Sequence, residues 1–338
     1  MHVKIVSFTG RGAETASRIA ALLPEAHVER YARTVDPSLS DTQLSRFAQQ
    51  AMVDCDLIVF VGAAGIAVRA VAPYLAGKAF DPAVLVVDEA GKFVISLLSG
   101  HLGGANALTE RVAAGLGATP VITTATDSRG VFAVDTWAKA HGCAVLDPEN
   151  IKFISGALLR GETVGLRSDF PVEGALPAHF DTRFAAESGV FIGFDRVQTP
   201  FVHTLHLVPR IVHLGVGCRR GATAEQIAQT VRAALEHAGV PETAVCTVSS
   251  IDVKVDEPGL LAFCAREKIP FSTFPAAELE RAPGAFTPSE FVRETVGVDN
   301  VCERAAVLSA AGGRILCHKT AENGVTAALA MQNWRVTF

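Results

Sequence analysis

The sequence predicts a multi-domain α/β protein, and three observations carry that prediction. Of the 338 residues, 49% are hydrophobic and 19% are charged, which is typical of a globular protein and not of a disordered one. This length allows two or three domains, each able to bury a core. In both the N-terminal and the C-terminal parts, short apolar runs alternate with segments of helical periodicity. Such alternation is typical of a mostly parallel sheet covered by helices.

The first third alternates predicted strands and helices from its beginning. Leu57–Val61 is a continuous apolar run, as expected for a strand that is buried on both faces. Residues 88–92 separate two β-rich runs and predict a hairpin-like turn. The predicted strands are 3–8, 57–61, 84–87, 93–97 and 119–122, and the predicted helices are 14–23, 41–52, 64–75 and 105–116.

The alternation stops in the middle of the chain and resumes at Ile211. Prolines interrupt the segment 128–208, which predicts a small α+β domain with strands at 163–167, 190–194 and 204–208. The strands predicted after it are 211–216, 271–274, 244–248, 314–317 and 325–331, with helices at 224–238, 259–267, 288–295 and 302–311. We therefore predict an N-terminal α/β domain over 1–127, a middle α+β domain over 128–208 and a C-terminal α/β domain over 209–338. Both α/β domains are expected to have a three-layer arrangement.

Charge and composition exclude several classes of protein. The net charge is −5 and no basic run is longer than Arg219 and Arg220, so no nucleic-acid partner is expected. The N-terminus reads as a strand without the features of a signal peptide. The longest uncharged apolar stretch, 57–68, is too short to span a bilayer. The seven cysteines include no CxxC pair, which indicates reduced thiols. We expect a cytoplasmic protein that contacts no membrane.

The most informative motif is a histidine surrounded by glycines, SGHLGGAN at residues 99–106. A loop can hold an imidazole against a substrate, where it acts as acid or base near neutral pH. The backbone N–H groups at the start of the following helix could stabilise an oxyanion. The alternative is a structural histidine in a tight loop. The candidate residues in this motif are Ser99, Gly100, His101, Gly103, Gly104 and Asn106.

Acidic residues occupy the predicted hairpin turn before this motif. Asp88 and Glu89 are adjacent, and paired carboxylates can serve as a general base or orient a histidine. Acidic residues are also common in turns for structural reasons, so the two interpretations remain open.

Two further segments follow predicted strands, where ligands of α/β proteins often bind. The small residues Gly62, Ala63 and Gly65 precede a helix and could present N–H groups to an anion. Arg69, one turn later, could contact a carboxylate. The alternatives are a packing turn and a solvated arginine. The second segment offers Thr124 and Asp127 for polar groups of a substrate, or it is simply a capped loop.

The C-terminal part contains a glycine-rich segment, GVGCRRG at residues 215–221. Its spacing departs from the dinucleotide fingerprint GxGxxG. Gly217, Arg219 and Arg220 predict an anion clamp at a helix N-terminus, against the alternative of a solvated pair. Lys254 could bind an anion or belong to a helix-capping region. The spacing of the histidines at 203, 206 and 213 matches no metal-ligand motif, and no metal site is predicted.

At this point the motifs resemble those of one family, the cobalt-precorrin-5A hydrolases (CbiG family) of anaerobic cobalamin biosynthesis. The matching segments lie in both predicted α/β domains and follow the family's order. They are 62–75 (GAAGIAVRAVAPYL), 81–84 (DPAV), 87–91 (VDEAG), 95–106 (ISLLSGHLGGAN), 120–127 (PVITTATD), 215–221 (GVGCRRG), 250–254 (SIDVK), 300–306 (NVCERAA) and 322–326 (ENGVT).

The resemblance implies a carbon–carbon bond hydrolase. Members of the family open the ring A acetate lactone of cobalt-precorrin-5A and release C20 with its methyl group as acetaldehyde, which gives cobalt-precorrin-5B. No added cofactor is implied, because the cobalt enters as part of the substrate. On this basis we hypothesise that His101 or Glu89, with Asp88 beside it, is the base, and that Gly103 and Gly104 supply oxyanion donors. The substrate's carboxylates are expected to bind basic residues, namely Arg69, Arg219, Arg220 and Lys254.

Two other functions remain open from the sequence. The first is a non-catalytic carrier of a cobalt-corrinoid (tetrapyrrole) intermediate of the same pathway. The second is a nucleotide-dependent α/β enzyme, which the incomplete glycine fingerprints disfavour. A homodimer, and handover to neighbouring methyltransferases of the vitamin B12 pathway, are further expectations.

Overall fold

The structure is a computed structural model. It describes residues 1–32, 41–77, 80–101, 103–123, 130–183 and 185–338. The helices are α1 (Gly10–Ala21), α2 (Asp41–Asp54), α3 (Ala64–Val71), α4 (Ala105–Leu116), α5 (Val134–Ala140), α6 (Ile151–Arg160), α7 (Ala224–Ala238), α8 (Pro258–Glu267), α9 (Ala276–Glu280), α10 (Glu290–Val296) and α11 (Cys302–Ser309). Among the described residues, no helix combines the length and the apolar character needed to cross a membrane.

In the two α/β parts of the chain, every predicted strand is present, and the structure adds two that were not predicted, His27–Ala32 and Val336–Thr337. The strands are β1 (His2–Ser7), β2 (His27–Ala32), β3 (Leu57–Val61), β4 (Ala83–Val87), β5 (Phe93–Leu98), β6 (Thr119–Val121), β7 (Cys143–Val145), β8 (Val164–Ser168), β9 (Val172–Glu173), β10 (Phe180–Asp181), β11 (Ser188–Ile192), β12 (His203–Pro209), β13 (Val212–Cys218), β14 (Val245–Ile251), β15 (Phe271–Phe274), β16 (Arg314–Glu322), β17 (Val325–Met331) and β18 (Val336–Thr337).

The first sheet has the order β2-β1-β3-β4-β5-β6 and helices on both faces. In β3, Leu57 and Val59 pack with residues of α1 and α4, whereas Ile58 and Phe60 pack with residues of α2 and α3. Successive side chains of a strand point to opposite faces, so burial on both faces requires an apolar residue at every position. This is the physical reason for the continuous apolar run that predicted the strand.

The directions of the strands in the first sheet determine at which edge of the sheet each predicted site residue lies. β1 to β4 are parallel, but β5 runs antiparallel to β4, and β6 is parallel to β5. β4 and β5 therefore form the predicted hairpin around residues 88–92.

A second sheet, with the order β10-β8-β11-β12-β7, is formed by the middle of the chain. Its strands are parallel except β7, which is antiparallel to β12. β9 and β18 form a separate two-stranded sheet.

The third sheet has the order β15-β14-β13-β17-β16 and is again covered on both faces. Leu214 and Val216 of β13 pack with residues of α7 and α8. On the other face the His213 ring Nδ1 lies 3.0 Å from the hydroxyl of Ser309, in α11. The predicted multi-domain α/β class is confirmed by these three sheets.

The contacts divide the chain into two compact units. One comprises Met1–Lys139 and Ile151–Glu162, and the other comprises Ala140–Asn150 and Thr163–Phe338. The second unit therefore contains both the middle and the C-terminal sheets. The boundaries predicted at 127 and 208 stay a prediction.

Candidate functional site

Loops leave the first sheet at two opposite edges, one at each end of its strands. The sequence alone does not indicate at which of these edges each predicted site residue lies. β3 and β4 are parallel, so Gly62 and Asp88 follow them at what we call the carboxyl edge. Because β5 is antiparallel to β4, the loop with Ser99 and His101 lies at the opposite edge, which we call the amino edge. The Ser99 hydroxyl accordingly donates a hydrogen bond to the carbonyl of Asp81, just before β4, at 2.9 Å. The six residues of β5 separate the two edges by about 20 Å.

The two predicted bases therefore do not meet. Glu89 lies at the carboxyl edge, where its carboxylate accepts a hydrogen bond from the Thr9 hydroxyl at 2.8 Å. Its carbonyl accepts another from the Thr15 hydroxyl at 2.8 Å. Glu89 and His101 cannot act on one bond of one substrate molecule. Because β5 runs antiparallel to β4, the two alternative bases lie at opposite edges of the sheet, and the choice between them stays a prediction.

Asp88 has a structural position in the hairpin turn. Its carboxylate accepts hydrogen bonds from the backbone N–H groups of Ala90, Lys92 and Phe93, at 3.1, 2.7 and 2.7 Å. These bonds fix the turn, as acidic turn residues commonly do. Asp88 is also at the carboxyl edge, so it does not orient His101.

The remaining candidates of the carboxyl edge surround the start of α3, namely Gly62, Ala63, Gly65 and Arg69. The Gly62 N–H donates to the carbonyl of Val87 at 2.8 Å, and a Cβ at Gly62 would lie 2.9 Å from the ring of Phe8. Arg69 is exposed, and its guanidinium donates to the carbonyl of Gly65 at 3.1 Å. These contacts fit the packing interpretation of the turn.

At the amino edge, the backbone of the loop after β5 caps helix α4. The carbonyls of Ser99 and His101 accept hydrogen bonds from the N–H groups of Ala105 and Gly104, at 3.1 and 2.9 Å, and that of Gly100 accepts from Asn106 at 3.0 Å. Gly104 has a φ of +86°, which favours glycine. Its N–H is already donated within the loop. The role of Gly104 as an oxyanion donor stays a prediction, and it would require this N–H to leave the carbonyl of His101.

Close packing explains the other small residues of this loop. A Cβ at Gly103 would lie 2.4 Å from the Cβ of Ser99, and a Cβ at Gly100 would lie 2.7 Å from Oδ1 of Asn106. Asn106 is buried, and its Oδ1 accepts a hydrogen bond from the Ser96 hydroxyl at 2.7 Å. The close packing of Gly100 against Asn106, and the hydrogen bond from Ser96 to Asn106, therefore hold the loop against β5.

The side chain of His101 faces an acidic partner that the sequence analysis missed. Its Nδ1 lies 3.4 Å from Oδ2 of Asp135, and the two side chains are only 15% and 10% exposed. Asp135 is in the first turn of α5, and its Oδ1 accepts a hydrogen bond from the Thr136 N–H at 3.0 Å. A carboxylate on Nδ1 orients an imidazole and directs its Nε2 to another group. His101 and Asp135 form a candidate acid–base pair.

A basic group lies beside this pair. Lys139 follows Asp135 by one helical turn, so both lie on one face of α5. The Lys139 ammonium is 2.8 Å from the position that a Cβ at Gly104 would occupy, and the residue is exposed. The site thus combines an imidazole, a carboxylate and a cation. The signal that could have revealed it is the i,i+4 spacing of an acid and a base in VDTWAKA.

The predicted cluster of the C-terminal part does come together. β13 and β14 are parallel, so Arg219 and Arg220, after β13, and Lys254, after β14, lie at the same edge of the third sheet. The Lys254 ammonium pairs with Glu257 at 2.8 Å, and the other Glu257 oxygen accepts from the Gly221 N–H at 2.8 Å. Lys254 lowers the pKa of the Glu257 carboxyl. The charge of Lys254 is therefore already paired, whereas Arg219 and Arg220 are exposed.

The predicted glycine loop at this edge is corrected. Gly215 and Gly217 lie inside β13, where Gly217 pairs with Thr326 of β17. A Cβ at Gly215 would lie 1.8 Å from the carbonyl oxygen of Cys302. The close approach of α11 to the sheet therefore accounts for Gly215, whereas a Cβ at Gly217 would lie 2.7 Å from the hydroxyl of Thr326 in β17.

The histidines at 206 and 213 have separate partners. The His206 Nδ1 lies 2.6 Å from Oδ2 of Asp147, and the His213 Nε2 lies 3.0 Å from Oε1 of Gln332. Burial lowers the pKa of His213. Two more predicted site residues, Thr124 and Asp127, lie outside the described residues.

The motif NVCERAA contains a fully buried acid. The two oxygens of Glu303 accept hydrogen bonds from the backbone N–H groups of Lys319 and Thr287, both at 2.8 Å. Asn300 caps this helix, because its Oδ1 accepts from the Glu303 N–H at 2.8 Å. Burial alone would raise the pKa of Glu303, but these N–H groups hold it below its usual value. Through Glu303, the motif therefore connects the segments that contain Thr287 and Lys319 to α11.

This network predicts a pH-dependent stability. A carboxyl whose pKa is lowered on folding stabilises the protein above its unfolded pKa of about 4.3, and this contribution is lost as the pH falls towards the folded pKa. Glu303→Gln should lower the free energy of unfolding at pH 7 by about 1–3 kcal/mol, because an amide cannot accept both hydrogen bonds. Urea unfolding should show a smaller difference from wild type at low pH. An equal difference at both pH values would contradict this, and Glu278→Gln, an exposed acid, is the control.

Comparisons with known proteins agree with this architecture. Family models described as Cobalamin synthesis G N-terminal, Cobalamin biosynthesis central region and Cobalamin synthesis G C-terminus match residues 46–127, 132–209 and 212–330. Cobalt-precorrin-5A hydrolase of Salmonella typhimurium is 36% identical over 340 residues, covering 97% of each chain. The enzyme of that name from Priestia megaterium is 29% identical over 303 residues, covering 81% of this chain and 78% of that protein.

A shorter relative matches part of the chain. Protein CobE of a Sinorhizobium species is 35% identical over 119 residues, which covers 35% of this chain and 77% of that protein. The match to the Salmonella enzyme extends over 97% of this chain, and the residues matched by the N-terminal and C-terminal family models include every motif on which the sequence resemblance rests. The chain therefore belongs to the cobalt-precorrin-5A hydrolase family, a family of enzymes of cobalamin biosynthesis.

Proposed function

We propose that this chain hydrolyses cobalt-precorrin-5A, opens its ring A acetate lactone and releases C20 with its methyl group as acetaldehyde, giving cobalt-precorrin-5B. Membership of the family over nearly the whole chain supports the substrate. The structural observation that supports the chemistry is the largely buried pair of His101 and Asp135. An imidazole oriented by a carboxylate can take a proton from water near neutral pH.

In the first step, water adds to the lactone carbonyl while Nε2 of His101 accepts its proton. Asp135 stabilises the imidazolium that forms. The ester C–O bond then breaks, and His101 returns the proton to the departing C20 oxygen. The products of this step are a ring A acetate and a hydroxyl group on C20.

In the second step, the C20 hydroxyl loses its proton to the same imidazole. Its oxygen forms the carbonyl of acetaldehyde as the bond from C20 to the macrocycle breaks, and the electron pair of that bond stays on the macrocycle. Lys139, beside Gly104, is suited to hold one of the substrate's carboxylates during both steps. This chemistry uses no added cofactor, because the cobalt enters within the substrate.

The test is to incubate the purified protein with cobalt-precorrin-5A, trap acetaldehyde and measure the mass of the corrinoid product. Acetaldehyde equal to the substrate consumed, with loss of a two-carbon unit from the corrinoid, is the expected result. Tight corrinoid binding without acetaldehyde would favour the carrier function. Binding of NAD(P) or ATP, without action on the corrinoid, would favour the nucleotide-dependent alternative.

Arg219 and Arg220 are expected to act in binding and not in chemistry. They are exposed at the edge of the third sheet, and no ion pair involves either one among the described residues. Arg219→Gln and Arg220→Gln should each raise KM by roughly three- to tenfold with little change in kcat, because each removes a contact made equally before and during the reaction. Arg232→Gln, an exposed arginine paired with Glu225, is the control. A fall in kcat with unchanged KM would contradict this role.

A further inference from the structure

We propose that His2, His27 and Glu29 form a binding site for a divalent transition-metal ion, with Zn²⁺ as the best-suited probe. The register of the first sheet creates the site. His2 of β1 is directly paired with His27 of β2, and Glu29 lies two residues further along β2, on the same face. Two adjacent parallel strands therefore bring two imidazoles and one carboxylate together.

The ligand atoms are close enough to share one ion. Nε2 of His2 lies 2.9 Å from Oε1 of Glu29, and Nε2 of His27 lies 3.8 Å from the same oxygen. The three ligand atoms are all within 4.8 Å of one another. Ligands at about 2.0 Å from a tetrahedral Zn²⁺ are about 3.3 Å apart. Small movements of the side chains would therefore complete the coordination.

Neighbouring groups already orient two of the three ligands. Nδ1 of His2 lies 2.8 Å from the carbonyl oxygen of Asp54, so Nδ1 carries the proton and Nε2 is directed at Glu29. The Tyr31 hydroxyl donates to the other Glu29 oxygen at 2.6 Å, which leaves Oε1 for an ion. Such outer partners are usual around metal-binding histidines and carboxylates.

A second set of ligands beside His2 is less suitable. Asp54 and Cys55 also approach His2, but both oxygens of Asp54 accept from the Lys4 ammonium, at 3.0 and 2.7 Å. The Cys55 thiol donates to Asp54 at 3.2 Å, and burial raises its pKa to about 12. A protonated thiol and a paired carboxylate are poor ligands. The set with His27 and Glu29 is therefore the one proposed.

The ion would join the edge strand β2 to its neighbour β1. Because the three ligands converge only in the folded sheet, binding should stabilise the folded state. The site is three strand spacings from β5, or about 14 Å, so it does not belong to the His101 pair. The proposal is thus independent of the proposed hydrolase activity, and its test uses no corrinoid.

The test is a Zn²⁺ titration by calorimetry, together with thermal unfolding, on protein without an affinity tag. Wild type should bind one Zn²⁺ per chain and unfold at a higher temperature when Zn²⁺ is present. His27→Gln and Glu29→Gln should each weaken binding at least tenfold and remove the thermal shift. Tyr31→Phe should weaken it by roughly tenfold, as loss of an outer partner does.

The control is His237→Gln, an exposed histidine in α7, which should bind like wild type. The side chain of His27 is 77% exposed, so its replacement should leave the fold intact, as circular dichroism will verify. Zn²⁺ binding that is equal in wild type and His27→Gln would place the ion elsewhere, for example on thiols, and would overturn the proposal. The absence of binding at about 100 µM Zn²⁺, where a site of physiological affinity is saturated, would overturn it as well.

Discussion

His101→Gln is expected to lower the turnover of cobalt-precorrin-5A by roughly 10²–10⁴-fold, the usual contribution of a positioned acid or base. Glutamine is close to histidine in size but cannot take a proton from water. The loop should keep its shape, because the backbone carbonyls and not the imidazole cap α4. The measurement is the rate of acetaldehyde release at saturating substrate.

Matched variants separate this role from a structural one. Asp135→Asn should also lower kcat, but less than His101→Gln does, and it should shift the pH profile, because it changes the partner of the imidazole. His237→Gln, in the other compact unit, should have wild-type turnover. If His101→Gln turns over normally while Glu89→Gln does not, the reaction belongs to the carboxyl edge and the proposed site is wrong.

Gly215→Ala is expected to destabilise the protein by about 3 kcal/mol or more, or to prevent folding. The added methyl group would lie 1.8 Å from the carbonyl oxygen of Cys302 and 2.8 Å from the backbone nitrogen of Ala306. Both are backbone atoms of α11, so no side chain can rotate away. The helix would have to move from the sheet and expose the buried Val307 and Ala310.

Urea unfolding of the purified variant measures this effect. The control is Gly10→Ala, at the first position of α1, where an added Cβ meets nothing within 4 Å. Its effect should stay below about 1 kcal/mol, since alanine favours a helix. A Gly215→Ala variant with the unfolding midpoint of wild type would show that α11 does not pack against β13 as described.

Patterns that depend on neighbours in sequence could be predicted. The apolar run Leu57–Val61 identified a strand buried on both faces, and the turn at residues 88–92 identified a hairpin. In each case the cause lies within a few residues, because burial and turn geometry act locally. The first and third sheets, each covered by helices on both faces, could be predicted from such local patterns.

The grouping of the site could not be predicted in this way. Whether Glu89 and His101 share an edge depends on the direction of β5 relative to β4, which their separation in sequence does not specify. Asp135 reaches His101 from a helix 34 residues away in the chain. The proximity of His2 to His27 follows from the pairing of β1 with β2. Glycine patterns have more than one possible cause: Gly217 lies inside β13, next to Thr326 of β17, and not in the loop that the sequence predicted.

The way in which α4 is capped has a consequence for protein engineering. The backbone carbonyl oxygens of residues 99–101 accept hydrogen bonds from the N–H groups at the start of α4. The side chain at position 101 can therefore be exchanged without removing a hydrogen bond that caps the helix. A saturation library at this position should give a high fraction of folded, expressible proteins. Because the replacement also changes the partner of the buried Asp135, activity should be compared among variants of equal stability, and position 101 is then a suitable place to evolve a new reaction on this scaffold.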